Sequence, residues 1–318
     1  MHKVLWRRVA TLLIFSVCLL VWRNYDRNSL SSHTNPKKFV GFHTSHGRLG
    51  NQLFHMMTGY GIARTLNRTH YIPYEIHRNH VMEYLCQMEK VFPRLKETYI
   101  LAERETKQTI VPFSYWCCNY IDPSMYSGNT NQFLLLDFKY GQNPKYFADY
   151  IVDVRAILQF SKEAEKNGSD ILLLLQNYSD SMCVHTRMTD FVIRNASTKM
   201  NETVKAANSI AKKKNLSHFL IFGDDMNFMV KLSKTLAKDS GWRKNAKAIC
   251  YGEYMDLYIA SQLCASFLVS APRSTFGWWL AFFVQDQKAV YYLDDTRRSV
   301  LKMPIKEHFL KSWQLYIV

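Results

Sequence analysis

Apolar residues in this 318-residue chain fall in short runs separated by stretches of helical period. Phe39–Phe42 reads as a strand. Leu53, Met56, Met57, Tyr60 and Ala63 then recur at the spacing that lines one face of a helix from about Asn51 to Leu66. Tyr71-Ile72-Pro73 reads as the next strand, while His80–Ser127 has no period that assigns it. In Pro144–Lys166, residues Phe147, Tyr150, Ile151, Val154, Ile157 and Leu158 share a face, which predicts one amphipathic helix. From about Asn167 the alternation is regular. Strands are expected at Met182–His185, Phe219–Phe222, Ala248–Tyr251, Phe267–Ser270 and Val290–Leu293. Helices are expected near Glu202–Lys214, Met226–Lys238, Tyr254–Cys264 and Ser274–Val284. Strands alternating with helices predict parallel sheets with crossover helices, and ligands at the C-terminal ends of the strands. Two α/β units are expected, residues 39–168 and 169–318, divided in the loop-forming Asn167-Gly168-Ser169.

The N-terminus adds a compartment. Lys3, Arg7 and Arg8 precede a charge-free, mainly apolar run, Val9–Trp22, closed by Arg23. The run lacks the small residues of a cleavage site, so residues 1–23 are expected to be a cytoplasmic tail and an uncleaved membrane anchor. The polar residues 24–38 then form a stem. Acceptor tripeptides for N-glycosylation start at Asn67, Asn167, Asn177, Asn195, Asn201 and Asn215, in keeping with a lumenal location. Outside the anchor stand six cysteines, an even number that permits disulfides without defining them. Cys183 and Cys264 lie in apolar strand and helix patterns and are expected as buried free thiols. None of the cysteines has zinc-site spacing, and no structural metal is expected.

A formal charge of +15 suits an anionic partner: nucleic acid, an anionic membrane or a diphosphate. The anchor and tripeptides set nucleic acid aside, and Lys212-Lys213-Lys214 reads as the solvated end of a helix.

Polar residues follow the apolar strands at four places. Gly47-Arg48-Leu49-Gly50-Asn51-Gln52 joins the first strand to the first helix; its glycines allow close backbone approach, and the helix N-terminus attracts negative charge. His185-Thr186-Arg187-Met188-Thr189-Asp190 offers an arginine with the fork geometry that suits a diphosphate. Arg273-Ser274-Thr275-Phe276-Gly277 opens a helix that Ser274 or Thr275 caps. Asp224-Asp225 follows the Phe219 strand and serves either a nucleoside or a helix cap. It is not the D-x-D of metal–nucleotide chelation, and no P-loop is present.

Together these blocks resemble the α1,2-fucosyltransferases, glycosyltransferase family 11. Gly47 to Gln52 matches the G-R-L-G-N-Q of that family letter for letter, followed by Ala63-Arg64 and Tyr71-Ile72-Pro73. His185–Asp190 is similar to H-x-R-R-x-D, Phe222–Asp225 to F-x-D-D, and Ser274–Trp279 to S-T-F-G-x-W. Met188 departs from the pattern, standing where a second arginine is usual. The resemblance implies a two-lobed GT-B fold with a Rossmann-like C-terminal lobe, following a short transmembrane helix, in a single-pass type II Golgi membrane protein. It implies inverting, metal-independent transfer of L-fucose from GDP-fucose to the 2-hydroxyl of a galactose-type residue on a glycan. A fucosyltransferase of α1,6 or protein O-linkage, or a silent glycan-binding relative, is the alternative. Arg187, Asn51 and Arg48 are the implied catalytic set. Gly47, Gly50, His185, Asp190, Asp224, Asp225, Ser274, Thr275, Phe276 and Gly277 are the implied donor-binding set. In this reading Arg187 and the Ser274–Phe276 N–H groups take the diphosphate charge. The general base is open, with His43 and His46 as candidates.

Overall fold

The computed structural model describes residues 37–238, 245–297 and 306–318; the expected anchor, and the stem as far as residue 36, lie outside them. Among the described residues no helix is long and apolar enough to cross a membrane.

Two wholly parallel sheets organise the chain. In the first, β1 (Phe39–Phe42) lies between β2 (Thr69–Ile72) and β5 (Phe133–Asp137), with β3 (Tyr99–Leu101) outside β2 and β4 (Thr109–Pro112) outside β5. In the second, β6 (Ser181–His185) lies between β7 (His218–Phe222) and β9 (Cys264–Val269). β8 (Asn245–Ile249) flanks β7, and β10 (Val290–Leu293) and β11 (Gln314–Tyr316) continue beyond β9. The strand order reverses at β1/β5 and at β6/β9. Such reversal points open a crevice beyond the strand C-termini.

Central strands covered on both faces are continuously apolar. β6 is buried throughout and β7 at four of its five residues, so both were visible in the hydrophobic pattern. β4 is a half-exposed edge strand ending in Pro112, a position where a missing N–H costs no ladder bond. It lies in the stretch with no readable period, as does α2 (Arg78–Val91).

α1 (Leu49–Thr65) buries 13 of its 17 residues rather than one stripe, because it is enclosed between the first sheet and α9 (Thr275–Phe283). Phe54 of α1 meets Trp278 and Trp279 of α9 at ring-centroid distances of 4.9 and 5.1 Å. The principal hydrophobic cluster runs from Val40 to Trp313, through both units.

The single helix expected over Pro144–Lys166 is instead two short 3-10 turns, then α3 (Ile151–Ile157) and α4 (Lys162–Leu174). Ser161 causes the break: it caps α4 by accepting the Ala164 N–H at 3.2 Å. The boundary expected at 168/169 falls inside α4. Gly168 is a close-approach residue there, packed on the Tyr258 ring of α8 (Glu253–Leu263), and not a loop former. Cys183 and Cys264 are not free thiols. They sit on the neighbouring strands β6 and β9 with Cα atoms 5.5 Å apart and form a disulfide, an adjacency that needs the strand order to be known. Cys117 and Cys118 are also joined, and Cys250 is exposed and free.

Candidate active site

The loops after β1 and β5 face those after β6 and β9 across a cavity of about 510 Å³. Arg48, Arg187, Arg194 and Arg273 line it against two carboxylates, Asp190 and Glu253. The site is therefore cationic and suits an anionic ligand.

Arg187 leaves the end of β6 on a fixed backbone. Its N–H donates to Thr198 Oγ1 at 2.9 Å; Thr198 Oγ1 is 3.0 Å from Ser270 Oγ, which donates to the His185 carbonyl at 2.6 Å. The buried guanidinium donates through Nη2 to Asp190 at 2.6 Å, keeps Nε 3.2 Å from Asp224, and lies over the Phe191 ring. Nη1 makes no hydrogen bond to the protein among the described residues. An arginine so clamped presents its remaining donors to a ligand without further ordering. Asp190 also lies 3.7 Å from both Arg48 and Arg194 and so organises three arginines.

The two aspartates after β7 divide their work. Asp224 accepts the Met188 N–H at 2.8 Å and the Thr189 hydroxyl, binding the Arg187 loop to β7. Asp225 accepts the Phe228 N–H at 3.0 Å at the start of α7 (Met226–Lys238), as a helix cap. Neither lines the cavity.

The N-terminus of α9 opens at the cavity, where its dipole favours negative charge. Ser274 caps it, its hydroxyl accepting the Gly277 N–H at 3.3 Å. His185 lies behind this turn, fully buried and outside the cavity wall; burial lowers its pKa to about 4 against the opposing charge of Asp224. A Cβ at Gly277 would stand 2.4 Å from His185 Nδ1, which explains why the helix opens with glycine here.

From the first unit, Asn51 reaches across. Its Oδ1 accepts from Gln142 Nε2 at 2.7 Å and from Thr275 Oγ1 at 2.8 Å. Gly50 sits against the α9 backbone, where a Cβ would be 2.6 Å from Phe276 N, and Trp279 Nε1 donates to its carbonyl at 3.0 Å. Gly47 packs on the Asn51 side chain in the same way. Arg48 is half-exposed.

His43 and His46 separate. His43 lies off the cavity wall, with Nδ1 2.5 Å from Glu75 and Nε2 3.2 Å from Asp137, so both nitrogens are engaged. His46 lines the cavity beside the rings of His77 and His80.

Glu253, Gln142, Tyr140 and Arg194 escaped the sequence reading, because each follows a strand without sitting in a recognisable block. Among the described residues Glu253 makes no hydrogen bond or ion pair within 4 Å. Burial raises its pKa, and the Arg48 charge partly offsets that. Its signal was available in Tyr251-Gly252-Glu253, where Gly252 has a φ of 104° and turns the chain from β8 into α8. Among the described residues no cluster of three or more His, Cys, Asp or Glu is arranged to hold a metal ion.

The profile of glycosyl transferase family 11 matches residues 8–317. A Caenorhabditis elegans galactoside 2-alpha-L-fucosyltransferase is 28% identical over 275 residues, covering 84% of this chain and 76% of that protein. Another protein from the same organism, provisionally named galactoside 2-alpha-L-fucosyltransferase svh-11, is 28% identical over 285 residues, covering 85% and 75%. The crystal structure of POFUT1 in complex with GDP-fucose superposes with a TM-score of 0.48 and 13% identity, covering 80% of this chain and 95% of that one. The family match spans both sheets and the loops that wall the cavity, so the chain belongs to glycosyl transferase family 11 and is a glycosyltransferase.

Proposed function

We propose that the protein transfers L-fucose from GDP-fucose to the 2-hydroxyl of a galactose-type residue on a glycan, with inversion and without a metal. The observation that carries this reading is Arg187, buried, clamped by Asp190 and Asp224, and placed in the cavity wall with the N-terminus of α9. The names of the C. elegans relatives support the sugar and the linkage.

In this reading the diphosphate lies against Arg187 and the first turn of α9. The bond between fucose C1 and the diphosphate breaks as the acceptor oxygen bonds to C1 from the opposite face. Preorganised cations and helix dipoles aimed at the leaving oxygen lower the barrier without reorganising. Arg187 and Arg194 do here what a divalent ion does in other nucleotide-sugar sites, while the buried Arg273 is held by Asp295 and the Arg297 carbonyl behind the first turn of α9. Arg48 and Asn51 come from the first unit, across the cavity from Arg187, and orient the acceptor or the diphosphate. The proton of the acceptor hydroxyl leaves to a base, and His46 and Glu253 are the groups lining the cavity suited to take it. The GT-B designation, the N-terminal anchor and the Golgi lumen belong to the same proposal. The asparagines of the six acceptor tripeptides are all exposed, and Cys183–Cys264 suits an oxidising compartment.

The test is transfer of labelled fucose from GDP-fucose by the detergent-solubilised chain, with a panel of β-galactosides and excess chelator, beside Arg187→Ala. Chelator-resistant transfer to O2 that Arg187→Ala abolishes is expected. Binding of GDP-fucose without transfer to any acceptor would leave a binding protein in place of the enzyme.

A further inference from the structure

The segment after β4 places two large aromatic rings in water beside the cavity. Tyr115 is 87% and Trp116 77% exposed, and among the described residues neither ring packs on another aromatic. Isolated exposed apolar residues need no explanation, but a contiguous pair next to a site does. The next residue, Cys117, lines the cavity, as does Tyr140, itself 41% exposed, from the loop after β5. The two loops touch: the sulfurs of Cys117 and Cys118 lie 4.0 and 3.9 Å from the Tyr140 carbonyl.

The backbone beneath these rings is pinned. Cys117 and Cys118 are bonded to each other, and the Cys118 carbonyl lies 2.9 Å from Asn143 Nδ2, its donor, and 3.0 Å from His308 Nε2. Ser114 Oγ donates to the Trp116 carbonyl at 3.1 Å. The exposed rings therefore ride on a fixed support, and a ligand laid on them orders little beyond itself.

We propose that Trp116, with Tyr115 and Tyr140, is the platform on which the acceptor sugar stacks. This rests on the fucosyl-transfer reading above and names its acceptor subsite. The cationic donor groups Arg187 and Arg194 and the N-terminus of α9 come from the second unit, so the acceptor approaches from the wall built by the first unit, where this aromatic ledge borders the cavity. A β-galactoside gathers its H3, H4 and H5 on one face. Those polarised C–H groups meet the electron-rich face of an indole or phenol ring. O2 projects from the edge of the pyranose, so stacking leaves it free to point into the cavity.

The experiment compares wild type, Trp116→Ala, Trp116→Phe and Tyr115→Ala in the full chain with lactose as acceptor. Trp116→Ala is expected to raise the lactose KM at least about tenfold. It should leave the GDP-fucose KM and the melting temperature unchanged, and Trp116→Phe should restore most of the loss. Independently of turnover, lactose titrated into wild type and Trp116→Phe should give a saturable difference in tryptophan fluorescence. An unchanged lactose KM in Trp116→Ala, or a flat difference signal, overturns the platform. A saturable signal in a wild type that transfers no fucose upholds the platform and sinks the transfer reading.

Discussion

The Thr275 hydroxyl donates to Asn51 Oδ1 at 2.8 Å, joining two residues 224 positions apart at the first turns of α9 and α1. Gln142 Nε2 donates to the same oxygen, so one side-chain carbonyl holds three elements at the cavity wall.

Asn51→Ala strands both donors, each at roughly 1–3 kcal/mol where water does not replace the bond. A fall in melting temperature is expected. Asn51→Asp keeps the acceptor oxygens and should melt near wild type, but its new charge faces an anionic donor. A raised GDP-fucose KM with little loss of stability would separate the two roles.

Arg187→Lys keeps the charge and loses the fork. Removing one preorganised donor at a developing oxyanion lowers kcat by about 10²–10³. That loss is expected for Arg187→Lys with folding intact by circular dichroism, while the lactose KM changes little.

Gly277→Ala drives a methyl group into the His185 ring, 2.4 Å from Nδ1. Overpacking of this kind costs about 1–3 kcal/mol. Gly277→Ala with His185→Ala should be less unstable than the sum of the single changes, a coupling read from denaturation midpoints.

Much of the second sheet was legible because its strands are buried on both faces: Met226–Lys238 and Val290–Leu293 coincide with α7 and β10 to the residue. The same property explains where reading failed. β4 is a four-residue edge strand whose short apolar run is interrupted by Pro112, which argues against a strand when read from sequence alone. Ser161 divides an apolar face that is otherwise continuous, and only its hydrogen bond to Ala164 shows the break. Within the site, Arg187, Asp190 and Ser274 were legible as polar residues following strands. Glu253 and Gln142 were not, because they reach the cavity through strand order and loop path. The Cys183–Cys264 bond has the same cause: 81 residues separate partners that the sheet makes neighbours.

Burial holds His55 and His185 at a pKa of about 4 and His70 well below its usual value. Each is neutral when folded and takes up a proton on unfolding below pH 6.5. The unfolded state then binds more protons, so stability is full above 6.5 and falls with acidification, by about 1.4 kcal/mol per pH unit for each histidine. Melting temperatures should drop steadily between pH 6.5 and 4.

Asp256 runs the other way. Burial raises its carboxyl to about 7, with the Tyr251 N–H opposing and the Glu253 charge adding. The folded state holds that proton more tightly than the unfolded chain, so stability is lost as pH rises from about 4 to 7. Asp256→Asn retains the acceptor for the Tyr251 N–H at 3.0 Å and removes the ionisation. It should raise stability at pH 8 by on the order of 3–4 kcal/mol and leave pH 4 unchanged.

The contact of Gly50 with the α9 backbone fixes how substrates arrive. At Gly50 backbone meets backbone, Phe54 packs on Trp278 and Trp279 just beyond it, and the Trp279 indole ties the same point from the second unit, so a swing of the two halves would have to break packing as well as a hydrogen bond. Adjustment to donor and acceptor is therefore expected in the side chains at the cavity mouth rather than in a swing of one unit against the other.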